Sequence, residues 1–183
     1  TLLQVRSIKM RYRSLLLAIF LVFHSLTISS YTDVNGDFQR RGIEKLELGN
    51  YNGAIVDFSK AIEIDPNDAV TYDYRGVAKA KRGDFSGSII DYDKSIELDP
   101  NQIDTYGNRG IAKARSGNLN EAILDFDSAI SIDPNNGNAF FNHGMSMDMN
   151  GDLMTACLDW KRAVELGDDK GKKFVEKNCL KSS

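Results

Sequence analysis

The chain has 183 residues and a net charge of −3, with 42% hydrophobic and 27% charged residues, a balance normal for a soluble protein and a length that suits one domain plus a tail. Residues 1–30 hold Arg6, Lys9, Arg11 and Arg13 and no acid, which leaves 19 basic against 26 acidic residues, a net of −7, beyond them. A body that acidic argues against nucleic acid as a partner, because phosphate contacts need clustered Lys and Arg.

Residues 1–9 precede Met10, which begins Met-Arg-Tyr-Arg; nine apolar residues, Leu15–Phe23, and the small polar Ser25, Thr27, Ser29 and Ser30 follow. A basic start, a short apolar core and small residues behind it describe a secretory signal peptide. Extending the apolar run to Ile28 must pass His24 and Ser25, short of the roughly 20 residues that span a bilayer. Cleavage is expected near Ser29 or Ser30, without the Ala-x-Ala form. Residues 1–30 therefore predict export to a periplasmic, lumenal or secreted location. An uncleaved anchor, the chain's sole membrane contact in that case, and an apolar helix capping the fold are the alternatives. Residues 31–34 read as a short polar link.

Beyond the link the chain copies itself every 34 residues. Asp-Pro-Asn recurs at Asp65, Asp99 and Asp133, and the same step relates Gly42, Gly76, Gly110 and Gly144, then Gly49, Gly83, Gly117 and Gly151. Self-similarity at such a period signals stacked supersecondary units. Four units follow: 35–68, 69–102, 103–136 and 137–170. Each predicts two helices, at 35–48 and 51–64, 69–82 and 85–98, 103–116 and 119–132, and 137–150 and 153–166. Within a unit, position 4 is aromatic (Phe38, Tyr72, Tyr106, Phe140) and position 8 is the first glycine. Position 20 is small (Ala54, Ser88, Ala122, Ala156), position 24 aromatic (Phe58, Tyr92, Phe126, Trp160) and position 27 small again (Ala61, Ser95, Ala129, Ala163). The glycine at position 15 suits a left-handed helix end, and Asn50, Asp84, Asn118 or Asp152 after it suits the next N-cap. Pro66, Pro100 and Pro134 at position 32 stop the second helix for want of an amide donor.

This pattern resembles the tetratricopeptide repeat family, over Asn35 to about Lys170, in repeat length and in the aromatic/Gly/Ala/Ala/Pro spacing. The resemblance implies an all-α, right-handed superhelical solenoid of helix-turn-helix repeats. The departures are Gly167-Asp168-Asp169 in place of the fourth proline, and Arg41, Arg75, Arg109 or His143 at position 7, where the family usually has an apolar residue. Residues 171–183 predict a ninth, capping helix at about 171–180, with Phe174, Val175, Asn178 and Cys179 over the last apolar edge.

Cys157 and Cys179, the two cysteines, lie 11 residues either side of Asp168. Two antiparallel helices turning at Asp168 would bring them level, so a disulfide is one reading and two packed thiols the other. Nothing in the chain has the pattern of a catalytic set, a metal site or a cofactor loop. His24 and His143 lie in different segments, no Cys/His spacing suits zinc, and no glycine-rich phosphate loop with its lysine is present. Asp33-Val34-Asn35-Gly36-Asp37 lacks the later bidentate glutamate of a calcium loop and reads as a turn and helix cap.

Charges also keep the step: Arg41, Arg75 and Arg109 at position 7, Lys45, Lys79 and Lys113 at position 11, and Asp57, Asp91, Asp125 and Asp159 at position 23. Positions 7 and 11 share a helix face. Pairing with the aspartates is the structural reading, and a basic ladder for an acidic partner the functional one. The resemblance implies that positions 2, 5, 6, 9, 12 and 13 face a concave groove that takes a protein or peptide ligand. Arg40, Tyr74, Lys81, Asn108, Arg115, Phe141 and Asn142 are then the candidate contacts. Chaperone-binding members of the family carry a Lys/Asn clamp, where this chain has Gln39/Ile43 or Asp73/Val77. The expected function is a non-catalytic adaptor, scaffold or assembly factor; an architectural or self-associating module is the alternative.

Overall fold

The computed structural model describes residues 34–179; the signal or anchor expected in residues 1–30 lies outside them. Among the described residues there are helices and no strands. They are α1 (34–47), α2 (Tyr51–Ile64), α3 (Ala69–Arg82), α4 (Phe85–Leu98), α5 (Ile103–Arg115), α6 (Leu119–Ile132), α7 (Gly137–Met149), α8 (Leu153–Glu165) and α9 (Lys170–Phe174). Each packs on the next in sequence. First helices of successive units also meet, α3 with α5 and α5 with α7. That side is the tight, inner side of a superhelical stack, and the even-numbered helices form its outside.

Local chemistry sets the helix ends. Gly49, Gly83, Gly117 and Gly151 take φ between +74° and +92°, the left-handed region that a Cβ disfavours. Gly167 does the same, at φ +92°, where the fourth unit has no proline. The side chains of Asn50, Asp84 and Asp152 accept the amides of Gly53, Gly87 and Thr155. Asn118 departs from this expectation, since its side chain makes no such bond at the start of α6. The first helix starts at Val34, one residue before the expected Asn35, so most of the Asp33–Asp37 run, read as a turn and helix cap, lies in its first turn.

The core is one layer repeated. Phe58, Tyr92, Phe126 and Trp160 are buried, as are the small residues at positions 20 and 27 around them. A Cβ on Gly42, Gly76, Gly110 or Gly144 would sit 2.5, 2.6, 2.8 or 2.9 Å from the position-24 ring of its own unit. The glycine and the aromatic are thus one device: each first helix lies flat on a ring because it has no side chain there. In the second unit Ser88 satisfies its hydroxyl on the Phe85 carbonyl at 2.8 Å, whereas the buried Ser95 Oγ has no partner.

The end of the stack is closed by α9. Phe174 lies 4.9 Å from Trp160 and 5.5 Å from Phe141, centroid to centroid. The chain then widens into a π-helical turn, Val175–Cys179, in place of the rest of the expected helix. A disulfide joins Cys179 to Cys157 of α8, with Cα atoms 5.7 Å apart.

Candidate functional site

Two sets of charges must be separated before the inner face can be read. The first is a ladder inside the stack. Asp91, about 1% exposed, receives Arg75 through Nε (2.9 Å) and Nη2 (2.7 Å) and lies 2.7 Å from Lys79 Nζ. Asp125 is held in the same way by Arg109 and Lys113, and Asp57 by Arg41 and Lys45. Each arginine also stacks about 5.4–5.5 Å from the position-4 ring one helical turn before it. Arg75 and Arg109 then reach back to the preceding unit, to Ser59 (3.1 Å) and Asp93 (2.7 Å). Position 7 therefore fastens its own hairpin and the one before. In the fourth unit His143 does this work, with Nδ1 2.7 Å from Asp159 and Nε2 3.3 Å from Asp127. Burial disfavours the charged ring, but the hydrogen bond and charge of Asp159 and the charge of Asp127 outweigh it and hold its pKa above the usual value. Met147 stands where the other units have lysine, so Asp159 has no second cation.

The second set lines the inner face. α3 and α5 lie side by side, and the C-terminal half of their exposed surface frames a pocket of about 460 Å³ with Val77, Lys81, Asn108, Ile111 and Arg115 in its wall. The N-terminal half frames a second, of about 740 Å³, with Asp73, Tyr74, Val77, Asp104, Asn108 and Asp133. Val77 and Asn108 belong to both, so the two are halves of one groove. Its basic half holds Lys81 and Arg115, which make no ion pair among the described residues. Its acidic half holds Asp73, Asp104 and Asp133, which likewise have no cation there. Burial pushes the Asp73 carboxyl above the usual range, with Asp104 adding to the shift, and hydrogen bonds from Thr105 and Asn108 only partly offset it. Tyr74 forms part of the wall and stacks on Phe58 at 5.7 Å.

Four of the seven sequence candidates, Tyr74, Lys81, Asn108 and Arg115, come together in this groove. The other three are engaged elsewhere. Arg40 pairs with Asp37 one helical turn away at 2.6 Å. Phe141 is covered edge-on by Phe174, with Lys170 5.6 Å above its ring. Asn142 donates to Asn138 at 2.8 Å. Gln102, Thr105, Asp133 and Asn136 also line the groove and escaped the sequence reading, since they stand at or beside the inter-unit turns, not at groove-facing helix positions. A further feature was legible but unread: position 22 is Val56, Ile90, Leu124 and Leu158, each more than half exposed on the outer helices. Among the described residues no cluster of His, Cys, Asp or Glu could hold a metal ion, and no helix is long and apolar enough to cross a membrane.

A family model described as TPR repeat matches residues 42–83, and one described as tetratricopeptide repeat matches residues 91–124. No curated protein matches the chain. Among solved structures, MamA is 22% identical with a TM-score of 0.71, over 81% of this chain and 86% of that one. The first such domain of Spaghetti (RPAP3), bound to the HSP90 peptide SRMEEVD, is 22% identical with a TM-score of 0.64, over 65% and 94%. The OM64 domain from Arabidopsis is 21% identical with a TM-score of 0.63, over 65% and 98%.

Proposed function

We propose that this chain, which belongs to the tetratricopeptide repeat family, is a protein-interaction module that holds a peptide segment of a partner in the groove between α3 and α5 and performs no catalysis. One observation carries the reading. The cations of the first helices are spent on the buried aspartates or, for Arg40 and Arg82, on the exposed Asp37 and Asp84, and among the described residues only Lys81 and Arg115 make no ion pair, both around an open pocket. Unpaired charge beside Val77, Ile111 and the exposed edge of Tyr74 is the composition of a recognition surface. The likeness to a domain solved with a peptide in place supports a peptide as ligand. The clamp pattern of chaperone-binding members is not matched, because Asp73 stands where a cation would be needed. A strictly acidic chain terminus is therefore a poor ligand here. Export through residues 1–30, with membrane anchoring as the alternative, completes the proposal, and a disulfide-bonded cap suits an oxidising compartment.

A random peptide library displayed against the purified chain tests this. Enriched peptides should lose at least tenfold in affinity against Lys81→Glu/Arg115→Glu; peptides indifferent to that change, or none enriched, would refute groove binding. The exposed row Val56, Ile90, Leu124 and Leu158 favours a second reading, self-association through the outer face. Size-exclusion of wild type beside Ile90→Lys/Leu124→Lys separates the two: a concentration-dependent assembly lost in the variant is self-association.

A further inference from the structure

The proposed groove has two electrical ends, and this narrows the chemistry of its occupant. From Asp73 to Lys81 along α3 is 8 residues, and from Asp104 to Arg115 along α5 is 11; at about 1.5 Å per residue the opposed charges lie roughly 12–16 Å apart. An extended chain advances about 3.3 Å per residue, so roughly four to five residues cover the same distance. Resting on the groove reading above, we infer that the ligand is an extended protein segment carrying a basic and an acidic side chain about four to five positions apart. The base sits against Asp73 and Asp104, the acid against Lys81 and Arg115, and neutral or apolar residues lie over Val77 and Ile111.

Helix-dipole complementarity would by itself place acids near helix starts and bases near helix ends, but it accounts poorly for Asp73. This residue is the fifth of α3, past the first turn where that effect acts. It is half-buried, and the chain supplies it with two weak neutral donors, Thr105 and Asn108 (Nδ2 to Oδ1 3.4 Å), and no cation. On the second helices, by contrast, the buried Asp57, Asp91 and Asp125 are each given an arginine and a lysine, and Asp159 a histidine. A half-buried carboxylate without a cation destabilises the empty groove, and an incoming ammonium or guanidinium relieves that cost. The same ammonium is repelled at the other end by Lys81 and Arg115, so the pairing also sets which way round the ligand lies.

The test uses the library-selected peptides as probes. Aligned winners should share a Lys or Arg and an Asp or Glu at that spacing, and replacing either by Gln should weaken binding about tenfold. In an Asp73→Asn/Asp104→Asn background the Lys→Gln peptide change should cost little further, while the Glu→Gln change keeps its full effect. Lys81→Gln/Arg115→Gln should show the reverse. Winners that need the groove yet carry only acids, only bases or no charge preference would overturn the two-ended inference and leave groove binding standing. Winners indifferent to Lys81 and Arg115, or none at all, would overturn both.

Discussion

Replacing Asp91 by Ala is the sharpest probe of what holds the stack together. The carboxylate is about 1% exposed, with Arg75 and Lys79 both within 2.9 Å, and each of those side chains is about 18% exposed. Its removal leaves two close, mostly desolvated cations with nothing between them. Breaking a buried ion pair from one side costs about 3–5 kcal/mol, against at most about 1 kcal/mol for an exposed pair. For a urea m-value of about 2 kcal/mol/M the midpoint should fall by about 1.5–2.5 M. The loss should be local, because units in a solenoid touch only their neighbours. Amide exchange should therefore accelerate in α3 and α4 first, then in α2 and α5. Adding Arg75→Met and Lys79→Met to an Asp91→Leu variant should recover most of the loss, since the uncompensated charge is then gone. A midpoint shift below about 0.5 M for Asp91→Ala alone would refute the ladder as a structural element, as it corresponds to about 1 kcal/mol.

Gly76→Ala should lose about 1–3 kcal/mol, because the new Cβ would stand 2.6 Å from the buried Tyr92 ring. Gly107→Ala, with nothing within 4 Å, should gain about 0.5–1 kcal/mol of helix propensity, so equal signs in thermal melts would sink the ring-platform account. His143 has a folded pKa raised above the ordinary 6.5, so its contribution is fully present below that value and is lost as pH rises through the folded pKa. The fourth unit should loosen on that alkaline side in amide exchange, and His143→Arg should abolish the dependence; matching pH profiles would contradict it. Reduction, or Cys157→Ser/Cys179→Ser, opens a loop spanning 22 residues and should cost about 3 kcal/mol on chain-entropy grounds, with α9 released first. Urea midpoints that ignore reductant would count against a tethered cap.

Most of the architecture was legible because it is local and repeated. A 34-residue step in glycine, aromatic and proline positions specifies helix, turn and hairpin without reference to the rest of the molecule, and helix ends fell within a residue or two of expectation. The exception was a local competition of small energy: Asn118 makes no cap bond at the start of α6. The cap begins at Lys170 and ends in a π turn for a tertiary reason, the seat of Phe174 between Trp160 and Phe141 and the tie from Cys179 to Cys157.

The groove could be located by position but not composed by it. Asp73 and Lys81 were both assigned to the inner face; what periodicity does not report is which charge has a partner, because that depends on distances between different helices. Arg75 and Lys81 sit six residues apart on α3, yet one is consumed by Asp91 of α4 and the other faces an open pocket. Phe141 has the residue type and position of a ligand contact, and the cap took it because an aromatic edge left bare at the end of a stack is covered by whatever apolar group the chain can bring there. The 34-residue step by itself determined the helices and their order, since each follows from short-range sterics and burial within one hairpin, and the resemblance it carries implied the side that would be concave. Which side chains on that face remain unspent was decided only when the hairpins stacked, for pairing energies fall off within a few ångströms and are settled by neighbours far away in the chain.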